Sequence, residues 1–248
     1  MPTPAKDPAR PSKISKAVRE LRAMIARQFA QGGKLPSEHE LASRLSIDRN
    51  TVHRALELLS EEGLVTQKQG EGTFAHGRVI GVNSRLDEFV ELTELIKNSG
   101  FTMEKRLLSI TTEEASRDMA EKLGIVECSP ILVSKEVLFA DGKPVIYIED
   151  FIPRNLIKEP FSEAELADSY ISFLKRRCHQ QVSFSLLEII PRVCDGPIRE
   201  ILQLPMNQAI LESNCVSFNY SDQPIAASRV FYREPFVRHH IFVRWRDG

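Results

Sequence analysis

The chain has 248 residues, 42% of them hydrophobic, and a formal net charge of −1, which exceeds one typical domain and supplies apolar side chains for two packed cores. No run approaches the roughly 18 consecutive apolar residues of a membrane span, and the opening Met1-Pro2-Thr3-Pro4-Ala5-Lys6-Asp7-Pro8 lacks the apolar core of a signal peptide, so a cytoplasmic protein without a membrane partner is expected. Cys128, Cys178, Cys194 and Cys215 lie far apart with no C-x-x-C pair, which argues against a disulfide frame or zinc site and leaves no metal or cofactor to be placed.

The near-neutral total conceals a division of charge. Residues 1–78 hold 13 Lys+Arg against 9 Asp+Glu, and residues 79–248 hold 20 against 25, so a polyanion would meet the first part of the chain.

Residues 1–12, with four prolines and almost no large apolar side chain, predict a tail outside any core. From Ile14 the apolar positions Ile14, Val18, Leu21, Ile25 and Phe29 recur at steps of three and four, as in a helix with one buried stripe, and Gly32-Gly33 ends it. A second, short helix opens at Ser37, which with Glu40 three residues on forms a capping box. Ser46-Ile47 makes a turn, and Asp48 caps a third helix in which Val52, Ala55, Leu56 and Leu59 share the inward face. Arg49, Asn50, His53 and Glu57 then face outward. Gly63 stops this helix, and Leu64 to Lys68, Gln69 to Gly72 and Thr73 to Ala75 read as strand, glycine turn and strand. Three helices, a tight turn and a two-stranded ribbon make a winged helix-turn-helix over residues 13–76.

Reading base edges in a major groove requires long or amide side chains near the N-terminus of the inserted helix. Arg49 matches the two acceptors of guanine, Asn50 suits adenine, and Thr51 offers a hydroxyl to phosphate or a methyl to thymine; His53 extends the same face. Ser37 and His39 at the start of the second helix, and Lys68, Gln69 and Gly70 on the wing, are positioned for the backbone or minor groove.

Residues 77–86 read as a linker, and residues 87–248 as a second domain with an internal echo. Ala120 to Gly124, Pro130 to Val133 and Asp141 to Ile146 resemble Glu200 to Leu204, Ala209 to Leu211 and Asp222 to Ala226 at an offset near 80 residues. Each copy reads short helix, strand, turn, strand, and the amphipathic segments 86–98 and 163–178 supply covering helices, giving an α+β domain around an antiparallel sheet.

Leu35-Pro36-Ser37-Glu38-x-Glu40-Leu41-Ala42, the run from Arg49-x-Thr51-Val52 to Glu62-Gly63-Leu64, and Gly70-x-Gly72-Thr73-Phe74 together resemble the signature of GntR-family regulators. From about Leu86 onward the chain resembles the UTRA effector domain of the HutC-type branch, through Gly124, Asp141-Gly142-Lys143-Pro144-Val145, Phe151-Ile152-Pro153 and Ser228-Arg229-x-Phe231-Tyr232-Arg233. The resemblance implies a homodimer bound to double-stranded DNA at a palindromic operator, a small-molecule effector that changes operator affinity, and a second domain of chorismate-lyase-like fold without that enzyme's activity. His39 and His53 stand where relatives commonly place arginines. Glu136 and Leu138 replace the arginines that sugar-phosphate-sensing relatives carry, and Ile148 and Ala226 replace glutamates, so a phosphosugar effector is not expected. The effector-site residues singled out are Phe89, Leu138, Tyr147, Glu149, Ser169, Phe173, Arg229, Tyr232 and Arg233, suited to an apolar or aromatic metabolite whose acidic group meets Arg229 or Arg233.

An enzyme would instead draw an acid or base from Asp141, Glu149, His179 or Glu188, yet the chain has no G-x-S-x-G, H-E-x-x-H, Walker or paired-carboxylate constellation. A purely architectural DNA binder is disfavoured by the long, non-basic C-terminal part.

Overall fold

The computed structural model describes residues 13–76, 91–194, 196–233, 239–241 and 243. The expected tail (1–12), the linker (77–86) and Phe89 lie outside them. The chain divides into two compact units, residues 1–90 with 239–248 and residues 91–238, and each is described by itself.

In the first unit, α1 (Lys13–Gln28), α2 (Glu38–Leu45) and α3 (Arg49–Glu61) close around a core of Ala17, Leu21, Ile25, Leu41, Val52, Ala55, Leu56 and Leu59. The stripe of α1 centres on Ala17, Leu21 and Ile25, with Val18 and Phe29 only partly buried. Burial of each leucine contributes roughly 1.5–3 kcal/mol, and this apolar seal, more than helix propensity, sets the orientation of α3. A short strand not foreseen in the sequence, β1 (Gly33–Lys34), joins the ribbon of β2 (Val65–Lys68) and β3 (Gly72–Ala75), giving the order β1-β3-β2. Gly32 and Gly33, at φ 82° and 130°, let the chain turn from the helix directly into that edge.

The second unit begins with α4 (Leu92–Asn98) and holds a six-stranded antiparallel sheet in the order β4-β5-β6-β9-β8-β7. Its strands are β4 (Met103–Glu114), β5 (Pro130–Ala140), β6 (Lys143–Pro153), β7 (Phe184–Val193), β8 (Ala209–Phe218) and β9 (Pro224–Tyr232). The echo in the sequence is realised here: α5 (Arg117–Leu123) precedes the β5–β6 hairpin, α8 (Gly196–Ile201) precedes the β8–β9 hairpin, and the two halves meet where β6 pairs with β9.

Both faces of this sheet are covered. On the front, α6 (Glu163–Asp168) and α7 (Tyr170–Arg177) pack Leu166, Phe173 and Leu174 onto Leu132, Ile152 and Ala226. On the back, α5 seals against Ile131, Val133 and Phe151, and Leu202 and Leu204, just beyond α8, seal against Val137, Tyr147 and Phe231. Coverage from both sides explains why β5 and β6 read as nearly unbroken apolar runs instead of alternating ones.

Polar side chains interrupt the buried front face in register: Ser134 stands opposite Asp150, Asp150 opposite Ser228 and Ser228 opposite Cys215. The Ser228 hydroxyl donates to Asp150 Oδ1 at 2.5 Å. Burial nevertheless pushes the Asp150 carboxyl up to about 7, against the lowering effect of that hydrogen bond and with a further upward push from Glu136. Because the folded value lies above the unfolded one, the unfolded chain ionises first as pH rises. Stability is therefore fully present below about pH 4 and is lost as pH rises through about 7. Asp150→Asn is expected to remove this slope, gaining on the order of 3 kcal/mol over the parent above pH 8 and little at pH 4. Thermal melts of both chains across that range test it; a difference independent of pH refutes it.

Candidate DNA interface and effector face

The helix starts prepare the first site. Ser37 and Glu40 form the expected capping box: Ser37 Oγ accepts from the Glu40 amide at 3.3 Å, and Glu40 Oε2 accepts from the Ser37 amide at 2.8 Å. The Ser37 amide, and after it the Ser37 hydroxyl, donate to Oε2 and hold the exposed Glu40 carboxylate below its ordinary pKa. Asp48 caps α3 by accepting from the Thr51 amide at 2.8 Å and from the Thr51 hydroxyl at 2.7 Å. The Thr51 hydroxyl proton is engaged in this cap, whereas its methyl group is not.

Arg49, Asn50 and His53 are all exposed on α3, opposite the sealed Val52, Leu56 and Leu59. His39 is exposed beside them on α2, and Lys68, Gln69 and Gly70 form the exposed tip of the wing. Lys68 is 3.6 Å from Glu71 and 5.8 Å from the centre of the Phe74 ring, a loose hold that a phosphate can replace. Gly70, at φ 78°, has open space where a side chain would project, so the strained backbone and not crowding calls for glycine there. Sequence reasoning missed two contributors. An open groove lined by Lys13, Lys16, His39, Ser43, Asp48 and Arg49 brings two lysines of α1 to the α2–α3 turn; their position at the start of the first helical stripe was the available signal. Glu38 also enters the site: Oε2 accepts from Arg49 Nε at 3.0 Å, and Oε1 lies 2.8 Å from His53 Nδ1.

The effector-site residues do not converge. Side chains alternate across a strand, and the pairing register puts Leu138, Ile146 and Tyr232 on the front face but Tyr147, Glu149, Arg229 and Phe231 on the back. Phe173 is fully buried on the front, edge-to-face with Phe161 at 5.0 Å. Ser169 caps α7, accepting from the Ser172 amide, and its hydroxyl donates to Glu91. The back-face residues are already engaged with one another. Tyr147 stacks on Phe231 at 5.7 Å and donates to Glu149 at 2.8 Å, and burial, ahead of the neighbouring Glu149, raises its pKa. Glu149 and Arg229 belong to a charge ladder crossing the strands, Lys135–Glu149 (3.8 Å), Glu149–Arg229 (3.3 Å), Arg229–Glu212 (3.5 Å) and Glu212–Arg192 (2.6 Å). Arg233 donates to the Leu202 carbonyl at 3.1 Å. The expectation that Arg229 or Arg233 meets an acidic ligand beside Leu138 and Tyr232 is therefore corrected: strand parity turns these arginines away, and partners on the back face neutralise Arg229.

What shares the front face with Leu138 and Tyr232 is a layer of buried polar groups. Glu136 pairs with Lys105 at 2.8 Å, and burial raises its pKa against the attraction of that lysine. The Tyr170 hydroxyl is buried with no hydrogen-bond partner among the described residues; burial, ahead of the Asp150 carboxyl, raises its pKa, and the nearby Ser228 and Ser217 hydroxyls oppose that rise. Ser213 lies 3.4 Å from the Tyr232 hydroxyl, whose pKa burial pushes up to about 12. Counting in twos from Leu138 and Tyr232 would have found Glu136, Ser134 and Ser228.

Among the described residues no helix is long and apolar enough to cross a membrane, and no group of three or more His, Cys, Asp or Glu is placed to hold a metal ion. Residues 13–75 match the model of the gntR family of bacterial regulatory proteins, and residues 98–236 match the UTRA domain. An uncharacterised HTH-type transcriptional regulator, YurK of Bacillus subtilis, is 28% identical over 81% of this chain and 82% of its own length. The histidine utilization repressor of Pseudomonas putida is 26% identical over 89% and 88%. The crystal structure of the possible transcriptional regulator YydK from Bacillus subtilis superposes with a TM-score of 0.79 over 94% of this chain and 100% of its own, at 19% identity, and so shares the fold. With its helix-turn-helix unit and its two-faced antiparallel sheet each matched, the chain belongs to the GntR family of bacterial transcriptional regulators, in the group that carries a UTRA effector domain, and not to an enzyme family.

Proposed function

We propose that this regulator is a cytoplasmic repressor that binds a palindromic operator as a homodimer and changes its grip when a small metabolite occupies the sheet domain. The observation that carries the reading is the row of exposed Arg49, Asn50 and His53 at the N-terminal end of α3, flanked by the wing tip of Lys68, Gln69 and Gly70. A helix presented this way fits a major groove, with Arg49 reading guanine, Asn50 adenine and the Thr51 methyl thymine. Ser37, His39, Lys68 and the wing backbone then serve the phosphates and set register without specifying sequence. The repressor direction is supported by the name of the Pseudomonas relative. The homodimer is supported by β7, which ends the sheet order and leaves Leu186 and Val193 exposed at 67% and 59%, an open strand edge of the kind a second copy can pair with.

For the effector, the buried polar layer supports the front face of the sheet as the location. Leu138, Ile146, Ile148 and Val230 offer an apolar floor, and Glu136, Asp150, Tyr170 and Tyr232 offer carboxyl and hydroxyl groups. Among the described residues Lys105 is the cation paired into this layer, which supports a ligand with an apolar body carrying amine or hydroxyl groups rather than a phosphate or carboxylate.

Arg49→Ala is expected to cost roughly 1–3 kcal/mol on the operator and to relax preference at one base pair, whereas Lys68→Ala weakens all duplexes alike and lowers the salt dependence. Titrating both variants on a selected duplex and its scrambled counterpart separates them; equal loss on the two duplexes for Arg49→Ala removes its reading role. Thermal shifts should rise with aromatic or aliphatic amines and stay flat with hexose phosphates and aromatic acids. The reverse pattern overturns the front-face assignment.

A further inference from the structure

The acid at the first position of α2 points toward the reading surface of α3. Negative charge belongs at a helix N-terminus on dipole grounds alone, but Glu38 does more than complement the helix. Its side chain is 24% exposed, against 70% for Arg49 and 51% for His53, and each of its oxygens engages one residue of α3, four positions apart on the same face. The contact with Arg49 is made through Nε alone, and no other partner of that guanidinium is found among the described residues. Its two terminal nitrogens therefore keep the fork that matches guanine. His53 is held from the other side as well, with Nε2 3.4 Å from Glu57 Oε1, and Glu57 is in turn engaged by Arg54 at 2.7 Å.

We propose that Glu38 is a positioning residue of the DNA interface, holding the Arg49 and His53 side chains as one pre-ordered unit so that less rotamer freedom is lost when a duplex binds. The inference rests on the reading of α3 as the recognition helix. A carboxylate so close to DNA also repels phosphates, so its presence trades general affinity for discrimination.

The same contacts give a signature that a scaffold role would not. The groups facing His53 are Glu38 from α2 and Glu57 and Arg49 from α3; the hydrogen bond to Glu38 is the largest cause of its raised pKa, and Arg49 opposes it. Phosphates beside the protonated ring raise that value further, so binding takes up a proton and affinity falls as pH rises through the titration of His53. Neutralising Glu38 lowers the value in the free protein, and the fall moves to lower pH.

The test uses the full chain and a duplex selected by it from a randomised pool, with a scrambled duplex as reference. Glu38→Ala is expected to reduce preference for the selected duplex by about three- to tenfold, part of what one bidentate contact provides, while binding to the scrambled duplex holds or strengthens. In an Arg49→Ala background the same substitution should change preference less than about twofold, because coupled contacts are not additive. Glu38→Gln, which keeps the side chain's size should the alanine variant fold poorly, should shift the pH midpoint of binding downward, measured relative to His53→Ala so that His39 is accounted for. Equal loss on both duplexes, a full Glu38 effect without Arg49, or an unmoved midpoint overturns the proposal. Failure of the parent chain to select any duplex removes the recognition-helix reading and this one with it, whereas a preference indifferent to Glu38 removes only this one.

Discussion

Val52, Ala55, Leu56 and Leu59 bury one side of α3 against Ala17, Leu21, Ile25 and Leu41, and the surface proposed to face DNA depends on that seal. A helix has no preferred rotation about its own axis until one stripe is sealed. Once these four residues are inside, Arg49, Asn50 and His53 have nowhere to point but outward, and the Asp48 cap sets the height at which the row begins. The base reading proposed for this row is in this sense a by-product of core packing: the apolar stripe supplies the energy, and the polar side chains inherit its orientation.

The sheet domain applies a comparable constraint with period two. Each strand of the β6–β9 pair sends one residue to the α6–α7 side and the next to the α5–α8 side. The consequence is two chemically distinct surfaces on one sheet. On the back, opposite charges neutralise one another along the ladder from Lys135 to Arg192. On the front, Asp150 accepts from Ser228 and Glu136 pairs with Lys105, while the Tyr170 hydroxyl is buried without a hydrogen-bond partner among the described residues. A buried polar atom lacking a partner is costly, and the Tyr170 hydroxyl is one reason the front face is the proposed effector location.

The two units differ in how far their sites can be read locally. In the first, helix stops, caps and the wing turn are encoded within a few residues, and the capping box, the Ser46–Ile47 turn, the α3 cap and the Gly70 turn all fall where the sequence places them. The exceptions, β1 and Glu38, both depend on a partner distant in the chain: β1 exists because β3 pairs with it, and Glu38 reaches residues 11 and 15 positions away. In the second, the repeat of helix and hairpin was legible at an offset near 80 residues, but choosing pocket residues by chemical type alone mixed the two faces of the sheet.

By itself, then, the order of residues settled the matters governed by short-range rules: where helices begin and end, which side of each is apolar, that a winged helix-turn-helix precedes an antiparallel α+β domain, and which side chains on the third helix face away from the core. Tertiary structure decided what needs several strands or helices at once. It turned Tyr147, Glu149 and Arg229 away from Leu138 and Tyr232, brought Asp150, Ser228 and Tyr170 into one buried layer, and drew Glu38 up to Arg49 and His53. The physical reason is range: backbone caps and helical periodicity act over three or four residues, whereas burial, ion pairing and ligand-sized surfaces arise only when segments far apart in sequence exclude water together.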